Sequence, residues 1–118
     1  MEIWDLNALD VHPRHPVVLH SDEGAARVVA INLPAGEELQ EHEVHEHAWL
    51  QIQRGTVEVG IDGQRTAVGP GTLVHWRPRE RHTVLATEDA LLLLLLAPWP
   101  GKGHPSTAAS VAARGGRA

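Results

Sequence analysis

Histidines are the residues of this chain with the clearest potential for chemistry. The 118-residue sequence contains nine, and three of them, His42, His45 and His47, fall within six positions in the segment EHEVHEH. A divalent transition metal needs several neutral nitrogen donors held close together, so the cluster indicates a metal site. The alternative is a solvated loop between two strands, because spacing alone does not show that the three side chains face the same way.

The amino-acid composition limits which metal ligands and which kinds of binding partner are possible. The chain has no cysteine, which excludes disulfides and thiolate metal sites and leaves imidazole, carboxylate and amide oxygen as ligands. The formal net charge is −5 and no basic cluster is dense enough to follow a phosphate backbone, so nucleic acid is not an expected partner.

The amino terminus and the longest apolar run bear on location. The first ten residues, MEIWDLNALD, lack the basic start and apolar stretch of a secretory signal, so we expect a cytoplasmic protein. The apolar run at 90–97 contains six consecutive leucines and is far shorter than the roughly 20 residues that a membrane-spanning helix needs. It predicts a buried strand, and no membrane partner is expected.

Short apolar or alternating runs recur between turn signals. They lie at 16–20, 26–33, 49–53, 56–61, 72–76, 83–86 and 91–97. Glycine and proline punctuate them, and Asp62-Gly63 is the strongest hairpin signal. Regularly spaced short strands without a helical apolar stripe predict an all-β sandwich or barrel.

The length is that of a single domain. We expect an amino-terminal arm over residues 1–15 that lies against the barrel or crosses to a partner, and a β-barrel over 16–100. After Trp99 the composition turns to small and polar residues, so we expect a mobile tail over 101–118.

Glycines and histidines at certain spacings resemble the two-part signature of the cupin superfamily. In that signature a motif G-x5-H-x-H-x3-E-x6-G pairs with a second motif, G-x5-P-x-G-x2-H. Gly36, His42 and Gly55 match the first motif, and Gly71 and His82 match the second. The resemblance covers about half of the chain and implies an antiparallel cupin or jelly-roll-type β-barrel with a metal inside its mouth.

Four signature positions hold other residue types. The second histidine of the family falls on Val44 and its glutamate on Ala48. The proline and glycine before the last histidine fall on Arg77 and Arg79. The usual four-ligand site is therefore not intact.

The neighbouring histidines offer replacements for the missing donors. The resemblance implies a metal site that uses His42, His82 and at least one of His45 and His47, brought into the mouth by an irregular turn. Histidine nitrogens suit zinc, iron, nickel, copper and manganese, so the metal's identity stays open. The alternative is a barrel that has lost its metal.

Four further residues are candidates for contact with a small-molecule ligand. Arg77 and Arg79, with Arg81, alternate before His82, and alternate residues of an extended segment share a face that suits a carboxylate or phosphate. They are otherwise exposed loop charges paired with nearby acidic residues. Trp49 and Trp76 flank the expected site and either wall the ligand pocket or pack in the core.

Two functions remain open at this point, because the cupin fold does not select a reaction. One is a metal-dependent enzyme that acts on a small polar or carboxylated molecule. The other is a non-catalytic binding or sensing barrel without its metal. We also expect a homodimer, because the leucine run places apolar side chains on both faces of one strand.

Overall fold

The computed structural model describes residues 1–42, 45–61 and 63–100, and for residues 40–42 it describes the backbone alone. The predicted tail over 101–118 lies outside the described residues. The described part is built from strands and turns. The strands are β1 Val17–Asp22, β2 Ala26–Leu33, β3 Glu38–His42, β4 His47–Arg54, β5 Val57–Ile61, β6 Gln64–Val68, β7 Leu73–Trp76, β8 His82–Ala86 and β9 Ala90–Ala97.

The strands form two antiparallel sheets that share one core. The first sheet has the order β1-β2-β9-β4-β7 and the second has the order β3-β8-β5-β6. This arrangement confirms the predicted all-β, jelly-roll-type fold, although the ladders of the described residues form two separate sheets. No helix in the described part is long and apolar enough to cross a membrane.

Alternation along the central strands builds the core. In β4, Ala48, Leu50 and Ile52 are at most 1% exposed, while the residues between them are half-buried. Leu92 and Leu96 of β9 are fully buried on the same side of the sheet. Each aliphatic side chain buried in this way contributes roughly 1.5–3 kcal/mol to folding, so the inner faces of these strands hold the two sheets together.

The amino-terminal arm covers part of the opposite, outer face of the first sheet. Val11 is buried in a small cluster with Ala30 of β2 and Leu91 of β9. The side-chain amide of Asn32 donates a hydrogen bond of 2.7 Å to the carbonyl oxygen of Val11. In this structure the arm therefore packs on the outer face of the first sheet.

Gly55 forms the corner between β4 and β5, and no other residue type fits there. Its φ is 81°, in the left-handed region that favours glycine. A Cβ at this position would lie 2.1 Å from the carbonyl oxygen of Asp89. The last glycine of the first cupin motif is thus required by a close approach of two backbone segments.

The predicted hairpin after β5 is also present. Ile61 pairs with Gln64, which leaves a loop of two residues. Gly63 has a φ of 80°, as the favoured two-residue turns require. Asp62, the other half of the signal, lies outside the described residues.

Candidate functional site

Two cross-strand rows form one end of the sandwich, which we call the mouth. The row of the first sheet runs Arg27, Leu96, Ala48 and Trp76. The row of the second sheet runs His42, His82, Ile61 and Gln64. The ring of Trp76 stacks on the ring of His82 with centroids 4.0 Å apart and planes at 11°, so these two side chains join the rows across the core.

His82 is held in one orientation and one tautomer. Its side chain is buried, with 4% exposure, under the ring of Trp76. Its Nδ1 lies 3.1 Å from the backbone carbonyl oxygen of Glu80. A carbonyl oxygen only accepts, so Nδ1 carries the proton, and in the neutral ring Nε2 is the nitrogen able to accept a hydrogen bond or bind a metal.

Glu46 is a buried carboxylate next to the mouth, with an exposed fraction of 2%. It lies in the bend just before β4, two residues ahead of Ala48. Acidic side chains are rarely buried in protein interiors, so burial marks Glu46 as a candidate functional residue.

The sequence prediction did not include Glu46 among the metal ligands. The feature that could have identified it is its spacing, since Glu46 lies two residues before Ala48, which occupies the glutamate position of the cupin signature. Because Glu46 lies in a segment rich in charged residues, its type alone did not distinguish it from Glu41 or Glu43.

Arg27 and Trp99 also lie at this end of the sandwich, and no sequence pattern marked either of them as a site residue. The guanidinium carbon of Arg27 lies 5.0 Å from the centroid of the Trp99 ring, which is a cation–π distance. Arg27 Nη1 donates to the hydroxyl of Ser21 over 3.1 Å. The first sheet thus contributes a cation to the mouth.

The two neighbouring histidines of the predicted metal set, of which at least one was expected in the mouth, lie at the start of β4 and just before it. His45 is exposed in the bend between β3 and β4. His47 lies on the outer face of the first sheet, since its neighbour Ala48 faces the core. His47 Nδ1 is 2.8 Å from Nε2 of His75, and no bulge turns His47 into the mouth. The expectation that His47 replaces a mouth ligand is therefore corrected.

The side chain of His42 lies outside the described residues, but its backbone position is informative. His42 and His82 are direct partners in the antiparallel pair of β3 and β8. The two histidines that match the cupin signature are thus adjacent in the second sheet. Among the described residues, no group of three or more histidine, aspartate or glutamate side chains converges on one point.

The arginines before His82 lie in a turn, which corrects the expectation of an extended segment. The amide of Glu80 donates to the carbonyl oxygen of Arg77 over 3.2 Å. Arg79, at a glycine position of the cupin signature, has a φ of 69°, in the left-handed region that favours glycine. Alternation therefore does not apply here, and it gives no reason for the arginines to share a face.

A cleft of about 360 Å³ opens between the β5–β6 hairpin and β7. Because β6 and β7 are edge strands, the cleft lies along an open side of the sandwich. Trp76 and Arg77, two of the four predicted ligand contacts, line it together with Gln64, Thr66 and Glu80. Trp49 instead lies half-buried on the outer face with His47, and Arg79 is exposed in the turn.

The chain belongs to the cupin family. The sequence model of that family, described as a cupin domain, matches residues 29–98, which is more than half of the chain. The match begins within β2 and ends just after β9, so it includes both rows of the mouth apart from Arg27. A comparison with curated proteins gives no match.

Solved structures with the same fold have low sequence identity to this chain. An RmlC-like cupin protein from Desulfovibrio desulfuricans is 22% identical with a TM-score of 0.71, over 83% of this chain and 97% of that one. KdgF from Halomonas sp. is 22% identical with a TM-score of 0.65, over 76% and 85%. The cupin domain of Cnp3 from Schizosaccharomyces pombe is 15% identical with a TM-score of 0.70, over 80% and 72%. At these identities the similarity establishes the fold alone.

Proposed function

We propose that this cupin binds a divalent transition metal in the mouth through His82, His42 and Glu46, next to a cleft that takes a small polar or carboxylated molecule. The observation that carries the proposal is the orientation of His82. Its Nδ1 is bonded to a backbone carbonyl and its ring is buried, which is how proteins commonly prepare a metal-binding imidazole.

The proposed donor set fits a transition metal. Two imidazole nitrogens and one carboxylate oxygen are the ligand types that zinc, iron, nickel, copper and manganese sites use, and each of these metals remains a candidate. Glu46 would supply the carboxylate that the position of Ala48 lacks, from the bend just before β4. A bound metal would polarise a substrate oxygen as a Lewis acid.

The adjoining cleft supports a small ligand. Its volume of about 360 Å³ is within the range of small-molecule sites. The indole of Trp76 forms an apolar wall between the cleft and His82, while Arg77 and Glu80 provide charged groups at the rim. Arg77 is a suitable partner for a carboxylate because its guanidinium donates in a fixed fork.

A second function is favoured by a specific observation. Trp76 stacks directly on His82, and Ala48, which carries the motif's glutamate position, faces the same core. Both features are compatible with a mouth that is filled by side chains and binds a small molecule without a metal. In that case the protein is a non-catalytic binding or sensing cupin.

Metal analysis of untagged protein separates the two functions. We expect about one equivalent of transition metal after purification, or calorimetric binding of zinc or nickel by the apo-protein. Both should be lost in His82→Ala and reduced at least about tenfold in Glu46→Gln.

Substitution of His45, which is exposed, and of His20 on β1 provides matched controls. His45→Ala and His20→Ala should bind as the wild type does. Equal binding by the wild type and His82→Ala, or no binding at all, would contradict the metal site and favour the metal-free function.

A further inference from the structure

Glu80 connects the rim of the cleft to the buried imidazole of the mouth through three hydrogen bonds. Its side-chain Oε1 accepts a hydrogen bond of 2.6 Å from the backbone amide of Arg77. Its own backbone amide donates to the carbonyl oxygen of Arg77 over 3.2 Å. Its backbone carbonyl oxygen lies 3.1 Å from Nδ1 of His82. Two polar groups of Glu80 therefore bind Arg77, and a third binds His82.

The two bonds between Arg77 and Glu80 run in opposite directions and close a tight turn. Pro78 at the second position of this turn and a φ of 69° at Arg79, the third position, are typical of a type II turn. A residue with a Cβ is disfavoured at positive φ, so the turn carries a local cost. The bond from a backbone amide to a carboxylate is charge-assisted and offsets part of this cost. Removing the Glu80 side chain would leave the 3.2 Å backbone bond to hold a turn that is strained at Arg79.

The direction of the Glu80 carbonyl group determines which tautomer His82 adopts. A neutral imidazole has two tautomers, and the carbonyl oxygen selects the one with its proton on Nδ1. That carbonyl belongs to the residue whose amide and side chain are bonded to Arg77, so its direction is fixed relative to the turn. Stacking on Trp76 restricts the plane of the His82 ring but does not distinguish its two nitrogens. The hydrogen bond to Glu80 makes that distinction.

We propose that Glu80 is a positioning residue for His82: its side chain closes the 77–80 turn, which directs the Glu80 carbonyl oxygen at Nδ1 and keeps Nε2 of His82 unprotonated. The inference rests on the proposed function only in naming a metal as the ligand of Nε2. Arg77 and Glu80 also line the cleft, so a molecule bound at its rim contacts the turn that orients His82. The cleft and the mouth are connected through this turn.

Nitrogen NMR of the metal-free, isotope-labelled protein measures the tautomer directly. At about pH 8, where imidazoles are neutral, the wild type should show His82 protonated on Nδ1, and the signal missing from His82→Ala identifies it. Glu80→Ala should give a mixture of the two tautomers within about threefold of equal populations. Glu80→Gln keeps a side-chain acceptor at the same distance along the chain, so it should retain most of the form protonated on Nδ1.

Hydrogen exchange at the Arg77 amide shows whether the turn has opened. Exchange should be about tenfold faster in Glu80→Ala than in the wild type or Glu80→Gln. Glu88→Ala is the matched control, because the Glu88 carboxylate also accepts a hydrogen bond in a loop, from the hydroxyl of Thr56 over 2.8 Å, beyond the other end of β8 from His82. It should change neither measurement. Zinc affinity should fall about tenfold in Glu80→Ala and little in Glu80→Gln.

Faster exchange at Arg77 in Glu80→Ala with an unchanged His82 tautomer would overturn the proposal, because Glu80 would then stabilise the turn alone. Wild-type His82 protonated on Nε2 would also overturn it, as would equal tautomer mixtures in Glu80→Ala and Glu80→Gln. The tautomer and exchange measurements are made without metal. A failure to bind zinc would therefore contradict the proposed function and would not affect the comparison of tautomers.

Discussion

At the level of single residues, side-chain direction separates neighbours that the sequence presents as equivalent. Glu46 and His47 are adjacent in the acidic, histidine-rich segment, yet Glu46 is buried next to the mouth and His47 lies on the outer face with His75. Glu46 lies in the bend just before β4 and His47 is the first residue of that strand, so neighbours in sequence point to different environments where the bend enters the sheet.

Proton competition at the mouth site should make metal binding depend on pH. An imidazole must be neutral to coordinate, and imidazoles in water take up a proton near pH 6.5. We therefore expect metal affinity to fall from about pH 7 to about pH 5, with up to two protons taken up by His42 and His82 for each metal released.

Calorimetry with zinc or nickel at several pH values measures this effect. Affinity that stays flat down to pH 5 would contradict the histidine ligands. It would instead indicate that carboxylates such as Glu46 hold the ion alone.

Arg79 occupies the glycine position of the second cupin motif and shows why glycine is favoured there. Its φ of 69° is costly for a residue with a Cβ, by about 1–2 kcal/mol. We expect Arg79→Gly to raise the free energy of unfolding by about 0.5–1 kcal/mol, after the entropy cost of glycine is included. Urea denaturation measures the change.

Arg77→Gly is the matched control, because Arg77 is also exposed in this turn but is not at positive φ. It should leave stability unchanged or lower it slightly. If both glycine variants change stability equally, the backbone conformation of Arg79 is not the cause.

At the level of elements, the glycine in the Gly55 corner and the glycine in the Gly63 hairpin are required for different physical reasons. Both residues have φ near 80°. At Gly55 an added Cβ would lie 2.1 Å from the carbonyl oxygen of Asp89, whereas at Gly63 it would lie in open space. We expect Gly63→Ala to cost about 1 kcal/mol. Gly55→Ala should cost about 1–3 kcal/mol more, because backbone must move.

Thermal or chemical unfolding of the two alanine variants measures this difference. Equal losses of stability would mean that the β8–β9 turn yields to the extra methyl group. The steric reason for Gly55 would then be wrong.

At the level of the whole molecule, the outer face of the first sheet remains partly apolar beyond the reach of the amino-terminal arm. Leu73 of β7 is 63% exposed, and Leu95 of β9 is half-buried beside Trp49. We expect this face to mediate a homodimer, since exposed apolar patches are typical of interfaces. Sedimentation at micromolar concentration should give twice the chain mass of 12.8 kDa.

Substitution at Leu73 tests the location of that interface. Leu73→Lys should shift the protein to monomer, whereas Ala67→Lys on the exposed edge strand β6 should leave the dimer intact. A wild-type protein that sediments only as a monomer would show that the prediction is wrong.

The sequence by itself determined the strands with apolar runs, the Asp62-Gly63 hairpin and the pairing of the two cupin motifs, because these depend on local alternation, turn chemistry and spacing. It missed β3 and β6, the edge strands of the second sheet. β6 shows why, since an edge strand buries little and leaves a weak apolar pattern.

Only the tertiary structure decided which polar side chains meet. The stacking of Trp76 on His82, the burial of Glu46 and the pairing of His47 with His75 all join residues from different strands or depend on which face is covered. A one-residue change in register moves a side chain to the other face of a sheet. Local sequence does not fix that register, because it depends on contacts between strands that are distant along the chain.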